Sequence, residues 1–182
     1  ETKYTGLFSD YSFFIFNKNK YQIKTNHGFD EITGISTITF SDKTINTAID
    51  IKGTFDQVTG KHTNDAKIFR LYNAATKGLA DPKGLRYWIN QLDKSGINLR
   101  LIAKELMMTN EFKEIYASDR SNEQYINSLY QNILNRNADT SGFSYWIGQL
   151  SSKAETKEEV WLGFTESAEN KFLFTEMTGF TS

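Results

Sequence analysis

The sequence predicts an α+β chain. A small N-terminal antiparallel β unit covers residues 1–52, a linker covers 53–64, and an all-helical region of two tandem, pseudo-equivalent repeats covers 65–120 and 121–182. Three observations predict this. Short runs that alternate apolar and polar side chains occupy the first 52 residues, as half-buried strands do. From Asp65 the apolar period becomes helical, with Ile68, Leu71, Tyr72 and Ala75 spaced i, i+3, i+4, i+7. The string DPKGLRYWINQL (Asp81 to Leu92) then returns 58 residues later as DTSGFSYWIGQL (Asp139 to Leu150), keeping D-x-x-G-x-x-Y-W-I-x-Q-L.

In the β unit, YSFFIF and YQIKT flank the polar turn NKNK and read as a hairpin. GFDEITG reads as a loop, ISTITF as a strand, SDKT as a turn, and Ile45 to Ile51 as a last short strand. The Gly- and Thr-rich stretch 53–64 reads as the linker. Beyond it, helices are expected near 65–77, 83–94, 99–108, 110–118, 122–135, 141–152, 157–166 and 168–177. Their starts are marked by Asp81, Asp139, Thr109 and Ser167 and by the capping-box strings SNEQ and TKEE. The 58-residue shift carries the pattern beyond the dodecamer, pairing Ile102 with Val160, Leu106 with Phe164 and Glu111 with Glu169.

Composition narrows the functional classes. Lys plus Arg number 21 against 22 Asp plus Glu, so the basic excess that neutralises phosphates is missing and nucleic acid is not an expected partner. No apolar run reaches the roughly 18 residues of a membrane span. With no cysteine, disulfides, thiol catalysis and thiolate metal sites are excluded together. His27 and His62 stand in polar sequence without a partner at metal-ligand spacing. The glutamates at 105, 111, 114, 158, 159, 166 and 169 recur at solvent-facing helical intervals, and no two stand out as a glycosidase pair. No catalytic residue is assigned, and an enzyme is not expected.

Within the repeated helix, Leu85, Trp88, Ile89 and Leu92 share one narrow face, as do Phe143, Trp146, Ile147 and Leu150, so both tryptophans are expected in the core. Tyr87 and Tyr145 fall nearly opposite, with Gln91 and Gln149 one turn along. Packing against the partner repeat or the sheet is the commoner use of such a stripe. The alternative makes Tyr87, Gln91, Tyr145 and Gln149 a binding face, since aromatic and amide groups suit a sugar. Asp81 and Asp139 are expected to cap helices. They are also the candidates for calcium, although KGLADPKG and NRNADTSG lack the alternating oxygen donors of a calcium loop, and no cofactor is expected.

The string from Leu129 to Asn170 resembles the bacterial repeat called domain of unknown function 4214. The resemblance rests on Leu129, Tyr130, Leu134, Arg136, Asp139, Gly142, Tyr145, Trp146, Leu150, Phe164, Ser167 and Glu169. The first unit departs from the pattern at Gly78, which stands where the family has arginine, and at Leu106 and Thr109. The N-terminal segment resembles the short β unit that precedes such repeats in large secreted bacterial proteins of the adhesin, surface-layer or calcium-repeat (RTX) type. The resemblance therefore implies type I, one-step export and an extracellular or cell-surface location. It also implies a non-catalytic module that mediates attachment to other surface-protein chains or to cell-surface glycan. The alternatives are a protein scaffold or linker module and, last, a carbohydrate-active enzyme.

Overall fold

The computed structural model of the 182-residue chain describes residues 1–116 and 120–182. It is α+β, with two small sheets followed by a helical array. In the first sheet, β2 (Ser12–Phe16), β3 (Lys20–Thr25) and β4 (Gly28–Glu31) form an antiparallel meander, with Phe13 opposite Ile23 and Lys24 opposite Phe29. In the second, β5 (Thr37–Thr39) pairs antiparallel with β6 (Thr44–Asn46) and parallel with β1 (Thr2–Lys3).

The expected single antiparallel sheet is thus two sheets, one with a parallel pair. Strand β1 is two residues long, too short to show alternation. GFDEITG, expected as a loop, contributes β4, whose four residues are all exposed and give no apolar signal.

The strand expected to Ile51 stops at Asn46. There the Asn46 side chain accepts the Ile49 N–H and the Asp50 carboxylate accepts the Asn46 N–H. These local bonds turn the chain into a π-helical turn, Thr47–Lys52, continued by α1 (Gly53–Phe55). The stretch expected as a linker is consequently part of the core. Thr54, Phe55 and Val58 are buried, and the Thr54 hydroxyl donates to the Ala80 carbonyl at 2.8 Å. A line of rings, Tyr21, Phe55, Phe69 and Phe174, runs from the first sheet into the helices with centroids 5.7 to 6.2 Å apart.

Two four-helix sets follow. The first is α2 (Asn64–Ala75), α3 (Pro82–Leu92), α4 (Leu99–Met107) and α5 (Asn110–Tyr116). The second is α6 (Asn122–Leu134), α7 (Thr140–Ser151), α8 (Lys157–Thr165) and α9 (Ala168–Thr178). The last two residues of the helix expected over 110–118 lie outside the described residues.

Caps form at the expected places. Ser121 with Gln124 and Thr156 with Glu159 are reciprocal capping boxes. The sets meet where α4 packs on α8, Arg100 reaching Glu159 at 3.0 Å. They meet again at α2, whose buried Arg70 forms a two-point ion pair with Glu166, both bonds at 3.0 Å. Among the described residues no helix is long and apolar enough to cross a membrane.

Candidate functional site

Each repeated motif is built around a tyrosine laid across the start of a helix. In the first set the Asp81 carboxylate accepts the Gly84 N–H at 2.7 Å and the Tyr72 hydroxyl at 2.5 Å. A methyl group on Gly84 would overlap that hydroxyl, so the glycine is required by close approach and not by backbone conformation. Gly142 stands in the same relation to Tyr130. Burial, aided by the bond to Asp81, pushes the Tyr72 phenol well above its ordinary range.

Asp139 accepts the Gly142 N–H and the Ser141 hydroxyl, each at 2.9 Å, and pairs with Arg136 at 3.3 Å. These bonds, the Gly142 N–H foremost, hold its carboxyl at about 2. Both candidate calcium ligands thus already accept protein donors as helix caps. Among the described residues no group of three or more His, Asp or Glu lies together at metal-ligating reach.

The four candidate binding residues divide by exposure. Tyr87 is 52% and Tyr145 56% exposed, so neither is buried between the repeats or under the sheet. The expectation of intramolecular packing for this stripe is overturned, because α3 and α7 lie at the periphery and the repeats meet through α4 on α8, α2 on α8 and α5 on α6. Each tyrosine meets the edge of its neighbouring tryptophan, at 4.9 Å for Tyr87 and Trp88 and 5.0 Å for Tyr145 and Trp146. Gln91 and Gln149 are half-buried, and Gln91 accepts from the Lys94 ammonium at 3.1 Å. Each tyrosine and its glutamine stand one turn apart on the same helix.

The tryptophans themselves are half-buried, not enclosed in the core as expected. Trp146 lies over Gly163 and against Phe164, with centroids 5.1 Å apart. Among the described residues the fully buried tryptophan is Trp161, which the repeat pattern does not mark because its equivalent is Ala103.

Sequence reasoning missed a cavity of about 560 Å³ where β2, α2, α6 and α9 converge. Asn73, Asn132 and Asn170 bring amide groups to it from three helices, with Leu173 and Met177 as apolar wall. Their separation along the chain hides this convergence. The one available signal is that Asn73 and Gln131, both in the lining, are equivalent under the 58-residue shift.

Residues 103–174 match the family model described as domain of unknown function, DUF4214. They form a DUF4214 domain. The match starts inside α4 and ends inside α9, so the DUF4214 frame contains α5 to α8 whole and cuts across the boundary between the two helix sets. Within it fall Arg136, Asp139, Gly142, Tyr145 and Trp146, while Asp81, Gly84, Tyr87 and Trp88 precede it. No curated protein and no solved structure gives a significant match to the chain.

Proposed function

We propose that this chain is a non-catalytic attachment module of a secreted or cell-surface bacterial protein, with the outer faces of α3 and α7 as its contact surfaces. One observation carries the reading. A motif written twice keeps at the same place a tyrosine that is more than half exposed and braced edge-on by a half-buried tryptophan. Such a tyrosine contributes little to the fold, whereas a rigid aromatic with a polar tip is well suited to an interface. The exported setting rests on the resemblance of the chain to a family found in long exported polypeptides, often of the adhesin or surface-layer type. The partner is surface glycan or further surface-protein chains.

The test is the double substitution Tyr87→Ala with Tyr145→Ala, read on a glycan array, by sedimentation for self-association, and by thermal melting. Binding on the array or self-association should be lost, with a melting shift within about 2–4 °C, as expected for less than 1 kcal/mol in a chain of this size. Retention of every interaction by the double variant would refute the contact surfaces. Array binding without self-association would assign glycan; the reverse would favour the scaffold alternative.

A further inference from the structure

We propose that the cavity between β2, α2, α6 and α9 binds one neutral saccharide unit. This site is separate from the α3 and α7 faces and stands whether those faces meet glycan or protein. Its volume, about 560 Å³, lies in the range of small-ligand sites, and it opens at the junction of the β unit with both helix sets.

The polar lining is preset by bonds to the protein. Asn73 uses its carbonyl oxygen to accept the Ala80 N–H at 3.0 Å, which turns its NH₂ outward. Asn132 donates its NH₂ to the Ser128 carbonyl at 2.8 Å, and Asn170 donates to the Thr165 carbonyl at 2.7 Å, which turns both amide oxygens outward. Among the described residues those outward groups have no side-chain or backbone partner. One fixed donor and two fixed acceptors on three helices match vicinal hydroxyls, each of which donates and accepts.

Charge points the same way. The cations in the lining are neutralised within the protein, Arg70 by Glu166 at 3.0 Å and Lys77 by Glu114 at 2.5 Å. A charged ligand would have to displace one of these pairs. Leu173 and Met177 supply an apolar wall for the C–H face of a pyranose.

The experiment is an NMR titration of the intact chain, following side-chain amide signals, with glucose, galactose and N-acetylglucosamine as probes and galacturonate and glucosamine as charged counterparts. At least one neutral sugar should move the Asn73, Asn132 and Asn170 signals together at millimolar concentration. Asn132→Ala should weaken it about tenfold, the worth of one hydrogen bond. Ala74→Trp, which fills the cavity, should abolish it. Should Ala74→Trp fail to fold, the exposed Asn132 substitution carries the test. Tyr87→Ala and Tyr145→Ala should leave these shifts unchanged, so failure here and failure of the helix-face reading are distinguishable. No response to any neutral sugar, a response that survives Asn132→Ala, or equal binding of the charged counterparts would overturn the proposal.

Discussion

The two helix sets solve one steric problem identically and wire their charges differently. In both, a tyrosine from the first helix crosses the start of the Asp-to-Leu helix over a glycine, Tyr72 over Gly84 and Tyr130 over Gly142. In the second set Arg136 stacks on the Tyr130 ring, 4.9 Å from its centroid, and bridges Asp139 to Glu169 with two bonds of 2.8 and 3.0 Å to the glutamate.

In the first set that arginine is Gly78, and the reason is the β unit. Gly78 has φ +82°, and a Cβ there would sit 2.9 Å from the Phe8 ring and 3.2 Å from the Ser9 Cα. Phe8 is itself held from behind, its N–H by Asp42 at 2.8 Å and its ring by the Lys43 ammonium at 3.7 Å. Without the arginine, Tyr72 bonds Asp81 directly and Glu111 accepts the Lys77 N–H at 2.7 Å. The glycine and tyrosine therefore belong to the frame of the repeat. The arginine network belongs to the copy in which this position stays exposed, where the first set has Gly78 against the Phe8 ring.

The largest effect should come from the seam between the sets. Arg70 has no counterpart in the second set, where Ser128 only donates to the Tyr125 carbonyl of its own helix. Arg70 is 3% exposed and also donates to the Lys61 carbonyl at 2.8 Å. Arg70→Ala leaves Glu166 without its main partner and should cost about 3–5 kcal/mol in denaturant unfolding. Ser128→Ala, at the equivalent position, should cost about 1 kcal/mol. Equal losses would erase the asymmetry of the seam.

Next is the exchange of the differing residue. Gly78→Arg imposes a left-handed backbone on an L residue, at about 1–2 kcal/mol, and drives a side chain into Phe8. It should therefore destabilise the chain by about 2 kcal/mol or more and increase protease access to residues 1–52. Arg136→Gly breaks an exposed, solvent-screened network and should cost far less than Gly78→Arg. A Gly78→Arg variant as stable as the parent would show that the β unit does not dictate the glycine.

What the sequence displayed follows from the same contrast. Helix starts were legible because a capping side chain, such as Thr156 or Ser121, acts within one turn of chain. The repeat was legible because its glycine and aspartate act within nine to twelve residues of their tyrosine. The π-helical turn was not, because Ile45 and Ile51 are both buried and the polar bonds that bend the chain between them resemble those of an ordinary turn. The half-exposed tryptophans were misread for another reason. A helical face reports which side is apolar, not whether a neighbour covers it, and α7 has no fully buried residue at all. The cavity needed three amides from helices distant in sequence, which periodicity cannot pair.

The smallest effect concerns acid stability, at the Asp139 cap of the second set. Asp139 is held at about 2, below the ordinary value near 3.9 of an unfolded chain. A group whose folded pKa is depressed contributes stability above the unfolded pKa and loses it as pH falls toward the folded one. The melting temperature of the parent should therefore exceed that of Asp139→Asn above about pH 4, and the two curves should converge as pH approaches 2. The Gly142 N–H and Ser141 hydroxyl outrank Arg136 among the causes, so the difference should survive molar salt, which screens the exposed arginine but leaves short hydrogen bonds in place. If salt removes the whole difference, the arginine sets the Asp139 pKa.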